Sequence, residues 1–500
     1  MPGRRTTDTA GRRRFLQAAA GLGVAAVWPT ATSATPPCIA PPSDGDLDRL
    51  ARSIEGATVL PVDGTYPMLR GVHQRRFRFE PLAIVQPASA EDVAITLDWA
   101  RHRGIAITPR SGGHSYIGAG GGDGIVLDLG RLDEIESVDE DGLARIGAGA
   151  RLGDVARRLH CEAGRTLPTG TCPTVGIGGI TLGGGHGYVT RRHGLTCDRL
   201  REATVVRADG TIVEASADRH ADLFWALRGG GGGLGVVVEM RFDTVPSTPL
   251  AVGRIEVPSE ALLDGFEAFE AIATSAPPAE VSFFAFFADG EDDEDVRFAI
   301  SVVVPDTPSS ALAILESLLP RDLPRRTQNA FTLASPVCDG DDPVSGEWAR
   351  RKSAMPTAPI GREGAEIVRS WFAARRRNPL IPGEDPARVA LNGYGGAVAL
   401  VPPEATAFPH RDALYSMQMS TRWNSSSSPE TVAAHAAWIR GLESDLRPLT
   451  GPGCYLNYAD DDLVDWSTAY WRGNLARLRS VKASVDPRGF LDGRQWVTAR

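Results

Sequence analysis

The amino-acid sequence predicts an α+β protein assembled from two or three folding units, and three observations carry that reading. At 500 residues the chain exceeds what one hydrophobic core ordinarily supports. Its first half mixes short apolar runs of strand length with helical stretches, amid a high density of glycine. Beyond about residue 250 the glycines thin out and strand-like runs alternate with helices, the pattern of a sheet covered by helices on one side.

The elements follow in order. Residues 46–54 read as a short helix ended by Gly56, and 82–85 as a buried strand. Ser89 opens a helix with Asp92, three positions on, as its capping-box partner, and Gly104 stops it. Strands are expected at 105–108, 125–129 and 144–148, and a helix at 152–163. The runs 204–207 and 211–214 flank Asp209-Gly210, a hairpin signal. In the second half, strands are expected at 281–287, 296–304, 389–400 and 414–421, and helices at 309–319 and 363–376. The last 50 residues change character again, with clustered aromatic and polar side chains.

The N-terminus reads as an export signal. Residues 11–17, G-R-R-R-F-L-Q, are followed by a weakly apolar stretch at 18–28 and by small residues ending at Ala34. Arg12, Arg13, Phe15 and Leu16 fit the twin-arginine pattern R-R-x-F-L. Removal of residues 1–34 by the twin-arginine (Tat) export machinery would leave 48 basic against 61 acidic residues, moving the net charge from −9 to −13. An acidic exported protein argues against nucleic acid or an anionic membrane as partner. No apolar run reaches the roughly 18 residues of a membrane span, so no membrane anchor is expected after signal removal. The six cysteines, at 38, 161, 172, 197, 338 and 454, form no C-x-x-C pair, so no metal site is signalled.

Three glycine loops stand out. They are 110–120 (R-S-G-G-H-S-Y-I-G-A-G), 170–188 (beginning G-T-C-P-T-V-G-I-G-G) and 227–235 (L-R-G-G-G-G-G-L-G). Glycines let backbone N–H groups turn toward a ligand and approach it closely. None of the loops fits G-x-G-x-x-G with an acidic residue about 20 positions later, which argues against a Rossmann dinucleotide site.

The pair R-S-G-G-H-S-Y and G-T-C-P-T-V-G-x-G-G-x-x-x-G-G-G-x-G resembles the berberine-bridge-enzyme-like family. Those are FAD-linked oxidases of the vanillyl-alcohol-oxidase superfamily, with a PCMH-type FAD-binding domain. Residues 77–87, 222–230, 406–411 and 454–458 are similar to further family segments. The resemblance implies a two-lobe FAD-binding domain at 45–250, completed by the tail at 451–500, and a substrate domain at 251–450 with an antiparallel sheet.

It also implies FAD bonded covalently to His114 through the 8α-methyl and to Cys172 through C6. Arg110, Ser111, Gly112, Gly113, Ser115, Gly176, Gly178, Gly179, Gly184, Gly185 and Asn457 are the other implied cofactor contacts. Val175 resembles the gate residue of oxygen-reactive members. Tyr455 is the first candidate for the base that takes the substrate proton. On a strand, Tyr455 and Asn457 would share one face, leaving Tyr458 to the core. Gln418 aligns with a position where some members carry a glutamate base; glutamine can only orient substrate, which favours tyrosine-assisted alcohol oxidation. Tyr116 is expected to line the substrate site. The implied reaction takes two electrons from a small-molecule alcohol, an oligosaccharide or hydroxylated metabolite, and passes them to O2, giving H2O2. A dehydrogenase with another acceptor and a non-enzymatic binding protein are the alternatives.

The chain departs from the family pattern at Gly233-Leu234, at Gly489 and at 195–199. Those departures bear on single contacts rather than on the fold.

Overall fold

A computed structural model describes residues 42–499 apart from 137, 291–295, 334–336, 338–345 and 384. Residues 1–34, expected as an export signal, and cysteines 38 and 338 lie outside the described residues.

The first sheet joins β1 (Ala57–Val59), β2 (Ala83–Gln86), β3 (Ile107–Arg110) and β4 (Ile125–Asp128) in the order β1-β2-β4-β3. β2, β4 and β3 run parallel. Ala83, Ile84, Val85, Ile125 and Leu127 are buried, so both sheet faces are covered and the strands read as continuous apolar runs. Ser89 caps the helix Ala90–Arg103, accepting from the Asp92 N–H at 3.2 Å, and Gly104 ends it at φ 62°. Asp92 does not close the expected capping box. Its carboxylate accepts from the N–H groups of Ala88, Gly56 and Glu55, tying the helix to the preceding loop.

The second sheet is antiparallel. It joins β5 (Leu143–Gly147), β6 (Leu200–Val206), β7 (Ile212–Ser216) and β8 (Val236–Asp243) in the order β5-β8-β6-β7. The expected hairpin closes with Val206 opposite Ile212 and Gly210 at φ 86°.

The third sheet has seven antiparallel strands. They are β9 (Leu250–Val257), β10 (Ser282–Asp289), β11 (Val296–Val304), β12 (Thr327–Leu333), β13 (Trp348–Ala354), β14 (Ala387–Gly393) and β15 (Tyr415–Trp423). Their order is β12-β9-β11-β10-β14-β15-β13. Alternation along these strands separates core from site. Phe283, Phe287, Ile300, Val302, Val389, Leu391, Met417 and Met419 face a core shared with the helices Leu262–Thr274, Gly361–Arg376 and Pro429–Thr450. The intervening residues, among them Arg254, Phe284, Phe286, Ser301, Arg388, Asn392 and Gln418, face a cavity. The strand expected at 389–400 ends at Gly393 instead, because Gly395 and Gly396 adopt φ of 85° and 54° and turn the chain into the short helix Gly396–Val398.

The tail returns to the first core. Leu478, Val481 and Val485 of the helix Leu475–Val485 pack there with residues of the first two sheets. Lys482 locks this join. Its buried ammonium donates to Asp486 Oδ2, Gly233 O and Leu491 O at 2.6–2.7 Å, saturating its three hydrogens. Lys482→Met leaves the buried Asp486 carboxylate without its counter-charge, and unfolding in urea is expected to show a loss of about 3–5 kcal/mol.

Candidate active site

The three glycine loops converge on one cavity of about 830 Å³, roofed by the seven-stranded sheet and lined also by Tyr455–Ala459 and Trp496. The first two loops touch backbone to backbone. A Cβ on Gly112 would lie 2.2 Å from the Gly176 nitrogen, and one on Gly176 2.0 Å from Ser111 Oγ. Only glycine permits that approach. Ser111 Oγ then donates to Ala148 O at 2.6 Å.

His114 and Cys172 both line the cavity, one on each loop. His114 Nε2 bonds Thr174 Oγ1 at 2.7 Å, so the histidine is oriented by the loop that carries the cysteine. His73 stacks on His114 with centroids 3.9 Å apart and an angle of 20°. His73 Nε2 in turn lies 3.5 Å from Glu347 Oε1. Glu347 is buried and also meets Arg351, Gln74 and Arg422. Burial alone would raise its pKa; the His73 hydrogen bond and the two arginines overcome that and hold the carboxyl well below the usual range. None of His73, Glu347 or Arg351 is signalled by a local motif.

Four aromatic rings stand together beside these groups. Tyr116 stacks on Tyr458 at 5.8 Å, Tyr455 meets Tyr458 edge-on at 4.9 Å, and His186 lies 5.2 Å from Tyr455 and 5.6 Å from Tyr458. Gln418 Nε2 donates to Tyr116 Oη at 3.0 Å, and the Arg351 guanidinium lies 4.2 Å from the centre of the Tyr116 ring. Burial pulls the His186 pKa down to about 4, so its ring is neutral at pH 7.

Two expectations are corrected here. Tyr455 and Asn457 are not on a strand: residues Leu456–Tyr458 form a 3-10 turn. That turn brings Tyr458 into the cavity rather than the core. Tyr455 is the more enclosed of the two, 1% exposed, with its oxygen accepting from the Gly185 N–H and Asn457 Nδ2, both at 2.9 Å. Gly184 and Gly185, expected against the cofactor, do not line the cavity. They pack on Phe408, Thr196 and Tyr455 beneath it.

The remaining expected residues, Gly113, Ser115, Val175, Gly178 and Gly179, do line the cavity. Arg110 does too, but its guanidinium is tied to Asp128 and the Gly71 carbonyl.

The cavity fits a flavin dinucleotide on two observations. Gly179 has no left-handed backbone, and beyond its own helix turn no protein atom lies within 4 Å of where a Cβ would stand. Packing therefore does not explain its missing side chain; a ligand lying on the backbone does. His186 Nε2 is buried without a hydrogen-bond partner among the described residues, in a wall of the same cavity.

Fold and site together define an FAD-linked oxidoreductase. A family model for an FAD binding domain matches residues 81–216, and one described as berberine and berberine like matches residues 454–496. The glucooligosaccharide oxidase of Sarocladium strictum is 31% identical over 438 residues, covering 82% of this chain and 86% of that protein. The aclacinomycin-N/aclacinomycin-A oxidase of Streptomyces galilaeus is 29% identical, covering 95% and 96%. Among solved structures, xylooligosaccharide oxidase from Myceliophthora thermophila in complex with xylobiose superposes with a TM-score of 0.78 at 27% identity, over 91% of this chain and 99% of that one. Glucooligosaccharide oxidase from Acremonium strictum, described with a 6-S-cysteinyl, 8α-N1-histidyl FAD, gives 0.78 at 27% identity, over 91% and 98%. The chain belongs to the berberine-bridge-enzyme-like family of FAD-linked oxidoreductases.

Proposed function

We propose that this protein is an exported oxidase whose FAD is bonded to both His114 and Cys172. It oxidises an alcohol of an oligosaccharide or hydroxylated metabolite to a carbonyl while O2 becomes H2O2. The observation that carries the reading is the meeting of the His114 loop, the Cys172 loop and the tyrosine cluster in one cavity. The relative with a doubly attached flavin supports the two links, and the oligosaccharide oxidases support the substrate class. The twin-arginine pattern supports export. On this reading residues 45–250 and 451–500 hold the cofactor, and 251–450 supply the roof that meets substrate.

FAD, when bound, supplies the acceptor for the hydride of the alcohol C–H bond and relays the two electrons to oxygen. The chain does the rest. Thr174 and His73 fix the His114 ring. Tyr458, rather than the more enclosed Tyr455, takes the hydroxyl proton. Gln418 holds Tyr116 against it. Arg351, close to both phenols, offsets part of the cost of an ionised tyrosine, against the burial that raises the Tyr458 pKa. Val175 lines the path open to oxygen.

The test is stoichiometric peroxide release under air with an oligosaccharide panel. One H2O2 per carbonyl formed is expected. Turnover with an artificial electron acceptor but no peroxide would assign a dehydrogenase instead.

A further inference from the structure

The cavity is cationic in a chain that is acidic overall. The chain carries 62 acidic residues and a net charge of −9. Yet among the described residues Glu347 is the only carboxylate lining the cavity, against six arginines, of which Arg110 is paired with Asp128 behind the wall. Glu347 is shared by Arg351 and Arg422. Arg254 and Arg388 have no carboxylate within ion-pair distance among the described residues, and Arg254 Nε donates to Ser301 Oγ, at 3.1 Å.

Both side chains project from the roof by the two-residue alternation of β9 and β14. Both guanidiniums stand over one ring, Phe286, at 5.5 and 4.5 Å from its centre. Two cations over one plate repel each other, and the ring quadrupole offsets only part of that. Arg388 is an exposed residue of the cavity wall. Even so, enclosure by protein is the main pressure against its charge, with Arg254 adding to it and the phenols of Tyr188 and Tyr458 opposing. Arg254, Arg388 and Tyr458 line the same cavity, where substrate is expected.

Solvent hydrates the exposed Arg388, but a cation–π role alone does not call for a second, half-buried guanidinium over the same ring. A planar anion between the guanidiniums supplies the missing counter-charge and matches their fork of donors. We propose that the substrate carries a carboxylate, bound by Arg254 and Arg388, so that the preferred class is a uronic-acid saccharide or similar hydroxy-carboxylate. The inference rests on the proposed oxidase reading for its site and concerns which alcohol that site selects.

Calorimetry on the holoenzyme tests it with matched probes: glucuronate against glucose, and digalacturonate against galactobiose. At least one acid is expected to bind about tenfold or more tightly than its neutral partner, as hydrogen bonds to charged groups imply. Raising ionic strength from about 0.01 to 0.15 M should shrink that preference. Arg254→Gln and Arg388→Gln should each lower the acid-to-neutral affinity ratio about tenfold. No preference in either pair, or a ratio unmoved by both variants, overturns the proposal. Peroxide assays on the same probes separate the two readings. Selective binding of acid without peroxide would count against the oxidase reading alone; peroxide from neutral sugars with no acid preference would count against the carboxylate alone.

Discussion

Tyr458→Phe is expected to lower the rate of flavin reduction by substrate about 10²–10⁴-fold, the range for loss of a positioned base, while FAD content stays at the wild-type level. The substitution removes one oxygen and keeps the ring, so the stack on Tyr116 and the edge contact with Tyr455 persist. Tyr455→Phe acts differently. It strands the Gly185 N–H and one of the two Asn457 Nδ2 hydrogens, both of which donate to the Tyr455 oxygen, while the other keeps Ile180 O. Its expected signature is a stability loss of about 1–3 kcal/mol, with a smaller effect on rate. The pH dependence has a definite sign. Burial, reinforced by the neighbouring phenols, raises the Tyr458 pKa well above 10. The proton-accepting form is therefore the minority at neutral pH, and wild-type reduction should accelerate as pH rises. Stopped-flow measurements should find that rise missing in Tyr458→Phe. A rise that disappears in Tyr455→Phe instead would return the role to Tyr455.

The second large effect concerns the flavin itself. His114→Ala and Cys172→Ala should each leave protein that stays yellow after acid precipitation, held by the remaining link. The double variant should release all of its colour to the supernatant. The His73 stack and the Thr174 hydrogen bond bear only on the histidine link. His73→Ala should therefore slow attachment at His114 and spare that at Cys172. Each lost link should also slow substrate oxidation, because attachment tunes the cofactor's electronics as well as its position.

Much of the fold is legible in the sequence because it is locally encoded. The continuous apolar runs of β2 and β4, the Ser89 cap, the Gly104 stop and the Asp209-Gly210 hairpin each carry their structural cause within a few residues. The cofactor loops are legible for the same reason: backbone contact between Gly112 and Gly176 demands glycine at both places. What escapes is non-local. His73 reaches His114 through distant pairings: its N–H donates to Gly113 O at 3.1 Å, and residues 73–75 pair with Glu347, through His73 O with the Glu347 N–H and Glu347 O with the Arg75 N–H. No neighbouring residue announces that contact. β13, with its Arg350-Arg351-Lys352 run, hides a strand behind charges that are neutralised by Glu347, Asp460 and Asp462. Tyr458 sits on the opposite side from the one a two-residue period predicts, because its segment turns more tightly than a strand. Arg254 and Arg388 become neighbours only through the order of β9, β11, β10 and β14 in the sheet.

The central claim is that one flavin bridges the two glycine loops, and proteolysis of acid-denatured wild-type protein tests it most directly. Trypsin can cut at the arginines between His114 and Cys172, such as Arg131 and Arg157. A single yellow species is expected, in which the peptide containing His114 and the peptide containing Cys172 remain joined, with a mass equal to both plus one flavin less the hydrogens lost in forming the two bonds. Two separate colourless peptides, with FAD recovered intact in solution, would contradict it.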